Sequence, residues 1–416
     1  MIRANKNILG LRCLRCGKEH DARRVQYVCP SCNGNLDVVY DYRAVSKRLL
    51  RRRLSADQDR SVWRYAELLP TGRPAGVPFV HVGWTPLYQA DRLGRQLGLS
   101  QVHLKDDTRN PSASFKDRAG IAAAAKALQL GRRVITGAST GNAASSLACL
   151  CASAGIRPIV FVPRTAPPAK ITQLLVFGAT VIAVRGTYDQ AFDLCLKASE
   201  LYGWYNRNTG HNPYTREGKK TCSFEIVEQL GWRVPDKVFA PVGDGNILSG
   251  IWKGFLDLYA VGLIRSLPRL VAVQAEGSNA VKKAFESDGV LRPVSGRTLA
   301  DSISVSLPRD GEAAVRALRE SKGFAVEVSD AEILDAMRAL ARAESVFAEP
   351  AGAASVAGLK KAVLQGRVRR DETVVLLATG SGLKDIASAG RAVNKPFCID
   401  PDAGELKKLV RRLKGV

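Results

Sequence analysis

Short β-branched runs alternate with helix-like segments along most of this chain, and glycine-rich turns join them at three places. These turns lie within residues 134–142, 237–247 and 374–385. Regular alternation with short turns indicates parallel sheets that helices cover on both faces. Ligands gather at the carboxyl ends of such strands, because glycines let the backbone approach a phosphate and the next helix offers free N–H groups. The pattern predicts an α/β protein with a ligand site at this edge.

Lys116 stands at the predicted start of a helix, two residues after the end of the turn Asn110-Pro-Ser-Ala-Ser. An alanine-rich run over residues 119–130 follows, and Gly131 ends it. The helix dipole disfavours a cation at this end, so a lysine gains no stability from the position. A lysine with a lowered pKa can, however, form a Schiff base with an aldehyde cofactor. On these residues alone, an ordinary surface lysine beside Asp117 is an equally good interpretation.

Four short motifs and one helix start follow one another along the chain: Ser114-Phe-Lys-Asp-Arg, Ser139-Thr-Gly-Asn, Pro241-Val-Gly-Asp-Gly-Asn, Glu349-Pro-Ala-Gly-Ala-Ala-Ser and Thr379-Gly-Ser-Gly-Leu-Lys-Asp. In this order they resemble the fold type II family of pyridoxal-phosphate (PLP) enzymes, and within it the threonine synthase group. The resemblance covers roughly residues 80–390. It implies an α/β protein with two open parallel α/β domains and the active site between them, plus a small N-terminal zinc ribbon.

The resemblance implies a role for each matching residue toward pyridoxal 5′-phosphate. Lys116 is the lysine that forms the Schiff base and moves protons at the substrate's α and β carbons. Asn142 hydrogen-bonds the cofactor's 3′-oxygen. Thr379 offers a hydroxyl to the pyridine nitrogen, which makes the ring a weaker electron sink suited to elimination and replacement. The loop that holds the 5′-phosphate consists of Gly243, Asp244, Gly245, Asn246 and Ile247.

The reaction implied by the threonine synthase group is γ-elimination of phosphate from O-phospho-L-homoserine, followed by water addition at Cβ to give L-threonine. The chain is thus expected to be a PLP-dependent lyase that acts on a small anionic amino acid carrying a phosphate ester. The expected substrate contacts are Ser114, Ser139, Thr140, Asn208, Thr209, Thr215 and Arg216.

Two departures from the pattern of the group leave other reactions open. The group reads Asn-Pro-x-Arg-x-Glu-Gly, whose arginine meets the substrate phosphate, but this chain has Thr215 there and Arg216 one residue later. On a helix that shift turns the side chain by about 100°. The phosphate loop is also shorter and carries the acid Asp244. The alternatives are a β-replacement enzyme on phosphoserine, similar to cysteate synthase, or a threonine or diamino-acid ammonia-lyase.

Two C-x₂-C knuckles near the start of the chain supply four thiolates, the ligands that tetrahedral zinc prefers. Gly17 and Gly34 lie close to the knuckles and allow tight turns. A structural zinc ribbon is predicted, with a disulfide pair or an empty ribbon as the alternatives, and zinc would supply the folding free energy that this short segment lacks. The four ligands are Cys13, Cys16, Cys29 and Cys32, whereas Cys149, Cys151, Cys195, Cys222 and Cys398 lie in apolar patterns that predict core positions.

The chain divides into five predicted segments. A basic helical connector joins the ribbon to the catalytic body, and the family resemblance implies a small mobile domain inserted in a larger one. The expected segments are 1–42 for the zinc ribbon, 43–79 for the connector, 80–131 and 211–416 for the two parts of the large catalytic domain, and 132–210 for the small domain.

The formal net charge of +23 suggests nucleic-acid binding as a hypothesis to weigh. Basic residues are densest in residues 47–53 and 407–414, where apolar residues at helical spacing predict amphipathic surface helices. Neither segment carries the interleaved aromatic residues that base stacking uses, which argues against nucleic acid. A nucleic-acid-binding module on an enzyme-like body remains the second alternative, while the charge also suits the steering of an anionic substrate.

The remaining expectations concern location and assembly. No apolar run approaches the roughly 20 residues that span a bilayer, so no membrane association is expected. The first residues lack the apolar segment of a secretory signal, which predicts a cytoplasmic protein with reduced thiols. Enzymes of fold type II are often dimers, so the resemblance implies a homodimer.

Overall fold

Parallel β-strands organise the fold of this chain. The structure is a computed structural model that describes residues 2–24, 27–77, 79–166 and 168–413, apart from the side chain of Ala169. Residues 1, 25–26, 78, 167 and 414–416, which belong to the predicted ribbon, connector, small and large domains, lie outside the described residues. The strands are β1 (Ile8–Cys13), β2 (Glu19–His20), β3 (Leu36–Tyr40), β4 (Leu87–Gln89), β5 (Gln101–Asp106), β6 (Val134–Ala138), β7 (Arg157–Pro163), β8 (Thr180–Val184), β9 (Tyr205–Asn206), β10 (Lys237–Pro241), β11 (Arg269–Ala275), β12 (Phe324–Val328) and β13 (Thr373–Ala378).

The described strands form one large sheet, one smaller sheet and the sheet of the N-terminal ribbon. The large sheet has the order β12-β11-β10-β13-β5-β4, and its pairs are parallel except β4 with β5. The smaller sheet has the order β8-β7-β6-β9 and is parallel throughout. The ribbon sheet, β2-β1-β3, is antiparallel. The predicted α/β class with parallel sheets is confirmed.

Helices connect the strands and cover the two parallel sheets. Short 3₁₀ segments occur at Val62–Leu68, Asp107–Arg109, Glu276–Ser278, Asp301–Ile303 and Gly382–Lys384. The α-helices are α1 (Tyr42–Ser46), α2 (Arg51–Ala56), α3 (Asp91–Leu97), α4 (Lys116–Gln129), α5 (Asn142–Ala154), α6 (Pro168–Val176), α7 (Tyr188–Tyr202), α8 (Tyr214–Lys219), α9 (Thr221–Gln229), α10 (Asn246–Ala260), α11 (Ala280–Phe285), α12 (Gly311–Glu320), α13 (Asp330–Glu344), α14 (Pro350–Leu364), α15 (Ile386–Arg391) and α16 (Ala403–Leu413).

Alternate residues of the central strands face two different cores. Val375 and Leu377 of β13 belong to a core shared with α10, whereas Val374 and Leu376 belong to a core shared with α14. A strand that buries both faces is apolar at successive positions, which explains the uninterrupted apolar run in β13. Since helices cover both faces of the sheet, a ligand can approach the strands only at their ends.

The smaller sheet is covered in the same way. Val160 of β7 packs in a core with Leu147 of α5, and Phe161 packs in another core with Phe192 of α7. Each core draws on its own residues of β6 and β7, because successive side chains of a strand point to opposite faces. The smaller sheet therefore has cores of its own beside those of the large sheet.

The connector packs against the body and does not form the predicted single helix over residues 47–53. α2 begins only at Arg51, and Leu50 before it has an extended backbone. The physical reason is packing, because Leu49 and Leu54 are both buried in the core that contains α10, and the bend at Leu50 lets both reach it. α16 is a helix, as predicted for the second basic segment. Among the described residues, no helix is both long and apolar enough to cross a membrane.

The cysteines outside the ribbon divide into buried and exposed positions. The predicted core position of Cys398 is wrong, because this residue is exposed in the segment that follows α15. Its apolar neighbours Phe397 and Ile399 are exposed as well, so the local apolar pattern does not pack against the body. The cysteines buried as predicted are Cys149, Cys151, Cys195 and Cys222.

Candidate active site

Lys116 is the first residue of α4, at the position where the sequence predicts a helix start. The N–H of the preceding Phe115 donates to the Thr379 carbonyl at 2.9 Å, so the helix start is fixed to the end of β13. Burial lowers the pKa of Lys116, while the negative charges of Glu349 and Asp244 oppose this effect. A lysine held in this way is neutral, and hence nucleophilic, at a lower pH than a lysine in water.

Lys116 borders a cavity of about 650 Å³ that residues from both parallel sheets line. Much of the lining comes from loops that follow the carboxyl ends of strands, where ligands of α/β proteins bind. A space of this size accommodates a cofactor together with a small amino acid. The lining consists mainly of Lys116, residues 138–143, Tyr188, residues 207–209, Lys219, residues 241–247, residues 301–307 and Arg309.

The loop after β10 has the form of an anion site. Gly245 has a φ of 88°, and α10 begins at Asn246, whose helix start offers free N–H groups to a ligand. A Cβ on Gly243 would lie 2.9 Å from Ile303 Cα, and a Cβ on Gly245 would lie 2.7 Å from the Asp310 carbonyl oxygen. Any side chain at either glycine would therefore push apart the backbone segments that form the loop.

A carboxylate and a lysine accompany this loop. Asp244 Oδ1 accepts a hydrogen bond from the Arg309 N–H at 3.1 Å, and burial raises the pKa of Asp244. The Lys219 Nζ donates to Asn246 Oδ1 at 2.6 Å, and burial holds the pKa of Lys219 well below its usual value. An anion bound at the helix start would favour the charged form of Lys219. Helix start, close-packed glycines and lysine together fit a phosphate group.

Asn142, the first residue of α5, bonds to a buried glutamate. The Asn142 Nδ2 donates to Glu349 Oε1 at 2.8 Å. Burial raises the pKa of Glu349, and the contacts with Asn142 and Lys116 oppose that effect. A Cβ on Gly380 would collide with Glu349 Oε1, so the turn Thr379-Gly380 packs directly against this pair. Asn142 thus bonds to this carboxylate, the charge of Lys116 acts on it, and Thr379 directly precedes the glycine that packs against it.

Four of the predicted substrate residues face the cavity, and two of them also shape it. Ser139 Oγ accepts a hydrogen bond from the Gly141 N–H at 3.2 Å. Asn208 Oδ1 accepts one from the Ala138 N–H at 2.8 Å. These bonds fix the turn between β6 and α5, so that the start of α5 is presented to the cavity. The four residues are Ser139, Thr140, Asn208 and Thr209.

Three predicted substrate residues, Ser114, Thr215 and Arg216, lie outside the cavity lining as described. Ser114 is fully buried. Thr215 Oγ1 donates to the Asn212 carbonyl at 2.8 Å, within its own helix start. Arg216 pairs with Asp310 and is itself buried. Substrate contact by Thr215 and Arg216 therefore stays a prediction; in this structure the turn of α8 directs Arg216 to the buried carboxylate of Asp310.

Asp310 is a buried carboxylate that joins the ribbon to the loop after β10. It pairs with Arg216 and accepts hydrogen bonds from Asn35 Nδ2 at 2.7 Å, Asn246 Nδ2 at 2.7 Å and Ser249 Oγ at 2.5 Å. Asn35 belongs to the ribbon, whereas Asn246 and Ser249 belong to the first turn of α10. Because a fully satisfied buried network is rigid, Asp310 fixes the start of α10 relative to the ribbon.

Removal of the Arg216 guanidinium is expected to destabilise the fold. In Arg216→Met the buried Asp310 loses its cation, and the free energy of unfolding should fall by about 3–5 kcal/mol. Urea denaturation measures this change. The matched control Thr215→Val removes one hydroxyl hydrogen bond and should cost about 1 kcal/mol. An Arg216→Met protein as stable as the wild type, yet unable to bind substrate, would show that Arg216 is a substrate contact after all.

Sequence reasoning missed three residues of the site: Arg207, Lys219 and Asp310. Two of them had a local signal, because Arg207 directly precedes Asn208 and Lys219 directly follows the motif that ends at Gly218. Both are cations next to expected site residues. Asp310 had no such signal, because it lies 94 residues along the chain from its partner Arg216.

The four ribbon cysteines bring their sulfur atoms together. The Sγ atoms lie within 4.8 Å of one another. Cys13 and Cys32 are separated by 3.5 Å, and Cys16 and Cys29 by 3.7 Å. Tetrahedral zinc with Zn–S bonds near 2.3 Å requires S···S separations of about 3.8 Å, so the donor set fits zinc. A Cβ on Gly34 would lie 2.9 Å from Cys13 Sγ, which shows why a glycine accompanies the knuckle.

Comparison with known proteins agrees with this site. The family model described as "Pyridoxal-phosphate dependent enzyme" matches residues 79–380. The chain is similar to the threonine synthase of Methanocaldococcus jannaschii, with 37% identity over 405 residues that cover 97% of this chain and 99% of that protein. It is also similar to the threonine synthase of Methanosarcina acetivorans (38% identity, 96% and 98% covered) and to that of Mycobacterium tuberculosis strain H37Rv (38% identity, 82% and 93% covered).

Solved structures give the same fold. The T.th. threonine deaminase has a TM-score of 0.61 at 25% identity and covers 76% of this chain and 94% of that chain. The diaminopropionate ammonia lyase of Escherichia coli has a TM-score of 0.65 at 17% identity, covers 84% of this chain and 91% of that chain, and supports the fold alone. From the family match and the two relatives that extend over nearly the whole chain, we conclude that this chain belongs to the pyridoxal-phosphate dependent enzymes of fold type II, and within them to the threonine synthase group.

Proposed function

We propose that this protein is a PLP-dependent threonine synthase, which eliminates phosphate from O-phospho-L-homoserine and adds water at Cβ to give L-threonine. The observation that carries the proposal is the joint position of Lys116 and the loop 243–247 in one cavity. The relatives that cover 97% and 96% of this chain are both threonine synthases. The deaminase and ammonia-lyase structures match at 25% and 17% identity. The threonine synthase reaction is therefore better supported than the ammonia-lyase alternative.

The residues described above fit pyridoxal 5′-phosphate, and each has a proposed part in holding it. When bound, the pyridoxal ring withdraws electrons from the adjacent carbons of the substrate. Asn142 Nδ2, which donates to Glu349 in this structure, would donate to the cofactor's 3′-oxygen. Lys219, which donates to Asn246 at the start of α10, would offer its ammonium group to the 5′-phosphate. The remaining proposed contacts are Lys116 for the covalent bond to the aldehyde, Gly243, Asp244, Gly245, Asn246 and Ile247 for the phosphate, and Thr379 for the ring nitrogen.

Residues of the chain itself move the protons of the reaction. Lys116, whose pKa burial lowers, takes protons from the substrate's α and β carbons and returns one to the α carbon. Ser139 and Thr140 lie just before the start of α5, where free N–H groups receive the α-carboxylate. The Cγ–O bond breaks with its electron pair on the departing phosphate, and Cγ later takes up the proton that makes it the methyl group of the product. One water then adds oxygen to Cβ, so one substrate and one water yield one L-threonine and one phosphate.

The ribbon and the domain arrangement carry proposals of their own. We propose one structural zinc ion bound by Cys13, Cys16, Cys29 and Cys32, since four thiolates leave no open coordination position for catalysis. The separate cores of the smaller sheet support the predicted small domain at residues 132–210. The other predicted segments (1–42, 43–79, 80–131 and 211–416), the cytoplasmic location and the homodimer stay predictions.

A substrate comparison tests the proposed reaction. Purified, cofactor-loaded protein is incubated with O-phospho-L-homoserine, and inorganic phosphate and L-threonine should appear in equal amounts. Phospho-L-serine with sulfite, L-threonine alone and 2,3-diaminopropionate are the comparison substrates for the β-replacement and ammonia-lyase alternatives. Release of cysteate or ammonia from these compounds, with no phosphate released from O-phospho-L-homoserine, would contradict the proposal.

A further inference from the structure

Arg207 differs from the other buried arginines of the described residues. Arg64, Arg118 and Arg216 each pair with a carboxylate. Arg207 is only 3% exposed, yet its Nε and Nη2 atoms are buried and lack a hydrogen-bond partner among the described residues. Burying a guanidinium without hydrogen bonds or a counter-charge is costly, so such a residue usually has a ligand to meet.

The groups around Arg207 leave its guanidinium protonated and supply no negative charge to pair with it. Burial lowers the pKa of Arg207 to about 10, while Tyr188, Cys151 and Cys195 oppose this effect. The guanidinium is therefore a cation at neutral pH. Tyr188 and the two cysteines are neutral in their usual protonation states, and none of them is a carboxylate. The charge of Arg207 remains available to an incoming anion.

The position of Arg207 is built into the cavity wall. It follows β9, and its N–H donates to the Thr136 carbonyl at 2.9 Å. A Cβ on Gly137 would lie 3.0 Å from Arg207 Cδ, so the glycine leaves room for the arginine stem. Asn208 and Thr209, the next two residues, line the same cavity. The chain therefore directs a preformed cation to the site from this strand end.

The carboxylates that line the cavity have partners other than Arg207. Asp244 accepts a hydrogen bond from the Arg309 N–H, and Asp189 pairs with the Arg309 guanidinium. Asp301 pairs with Lys170. Lys116 and Lys219 line the same cavity as Arg207, and the charge of Arg207 contributes to the lowered pKa of both lysines.

We propose that Arg207 binds the phosphate ester of the substrate, as the specificity-determining cation that the chain lacks at Thr215; this inference rests on the proposed function. A guanidinium can donate two parallel hydrogen bonds to phosphate oxygens. As the Cγ–O bond breaks, its electron pair moves to the phosphate oxygen, and Arg207 stabilises the added charge. The α-carboxylate goes instead to the start of α5, beside Ser139 and Thr140.

The test compares phosphate binding and turnover in the holoenzyme. In Arg207→Met, the dissociation constant for inorganic phosphate, measured by calorimetric titration, should rise about 100-fold, and kcat/KM for O-phospho-L-homoserine should fall by a similar factor. Arg207→Lys keeps the positive charge but cannot donate two parallel hydrogen bonds. Its phosphate affinity and its kcat/KM should therefore lie between those of the wild type and those of Arg207→Met. In the control Arg316→Met, phosphate binding should change less than about threefold, because that guanidinium lies outside the cavity lining and already pairs with Glu320.

Three outcomes separate the inference from the proposed function. Unchanged phosphate binding in Arg207→Met, with cofactor content and circular dichroism like the wild type, overturns the inference. An equal weakening of L-homoserine and inorganic phosphate binding also overturns it, because Arg207 would then bind the α-carboxylate. If phosphate binds through Arg207 but the wild type does not convert O-phospho-L-homoserine, the anion site stands and the proposed function fails.

Discussion

Replacement of Lys116 with alanine is expected to give a colourless protein whose activity is reduced at least about 10³-fold. The reason is that one amine has two tasks, the covalent bond to the cofactor aldehyde and the proton transfers at the substrate carbons. The N–H of Phe115, just before Lys116, donates to the Thr379 carbonyl and fixes the start of α4 to the end of β13. A neighbouring lysine therefore cannot take the place of Lys116 unless the backbone moves. Visible absorbance and a phosphate-release assay measure the two effects.

Lys219→Ala is the matched control for this change. Among the described residues, Lys219 also lines the cavity, and its pKa is held low by burial. Its Nζ bonds to Asn246, which places it at the proposed phosphate loop and not at the aldehyde. We expect Lys219→Ala to keep the yellow colour while it releases the cofactor more easily. A yellow Lys116→Ala and a colourless Lys219→Ala would reverse the two assignments.

Substitution of Cys13 with serine is expected to remove the metal and unfold the ribbon. Metal analysis should find about one zinc per wild-type chain and close to none in Cys13→Ser. The effect is large, because zinc binding to such thiolate sites contributes roughly 10–16 kcal/mol to the folding of a small module. Asn35 of the ribbon donates to Asp310, which also holds Asn246, so Cys13→Ser should lose its cofactor faster during dialysis as well.

Cys398→Ser is the control for the cysteine substitution, because Cys398 is exposed and lies far along the chain from the ribbon. Its zinc content and its rate of cofactor loss should equal those of the wild type. Zinc-free wild-type protein, or a Cys13→Ser variant with full zinc content, would contradict the zinc assignment. Full loss of zinc with unchanged cofactor retention would contradict only the coupling through Asp310.

Local patterns predicted the elements that carry the site. The apolar run of β13 and the glycine turn after β10 each consist of residues that are adjacent in the sequence. Strand, turn and helix start can therefore be predicted from local sequence patterns. Lys116 was predicted at a helix start, and it is the first residue of α4. Parallel sheets followed from the alternation of these elements, and the comparisons confirm the family that the ordered motifs resemble.

Contacts between distant segments could not be predicted in the same way. The direction of Arg216 depends on Asp310, and the burial of Leu49 and Leu54 depends on the core around α10. Arg207 illustrates the point most clearly, because its importance lies in the hydrogen bonds that it lacks among the described residues. A missing partner is a property of the folded chain, and no sequence pattern displays it.

Reductive trapping tests the central assignment most directly. The purified holoenzyme is treated with borohydride, which makes a lysine-bound cofactor permanent, and the digested peptides are examined by mass spectrometry. We predict that the cofactor mass lies on the peptide that contains Lys116 and is absent from the peptide that contains Lys219. A modified peptide without Lys116, or yellow protein that yields no modified peptide, would contradict the account.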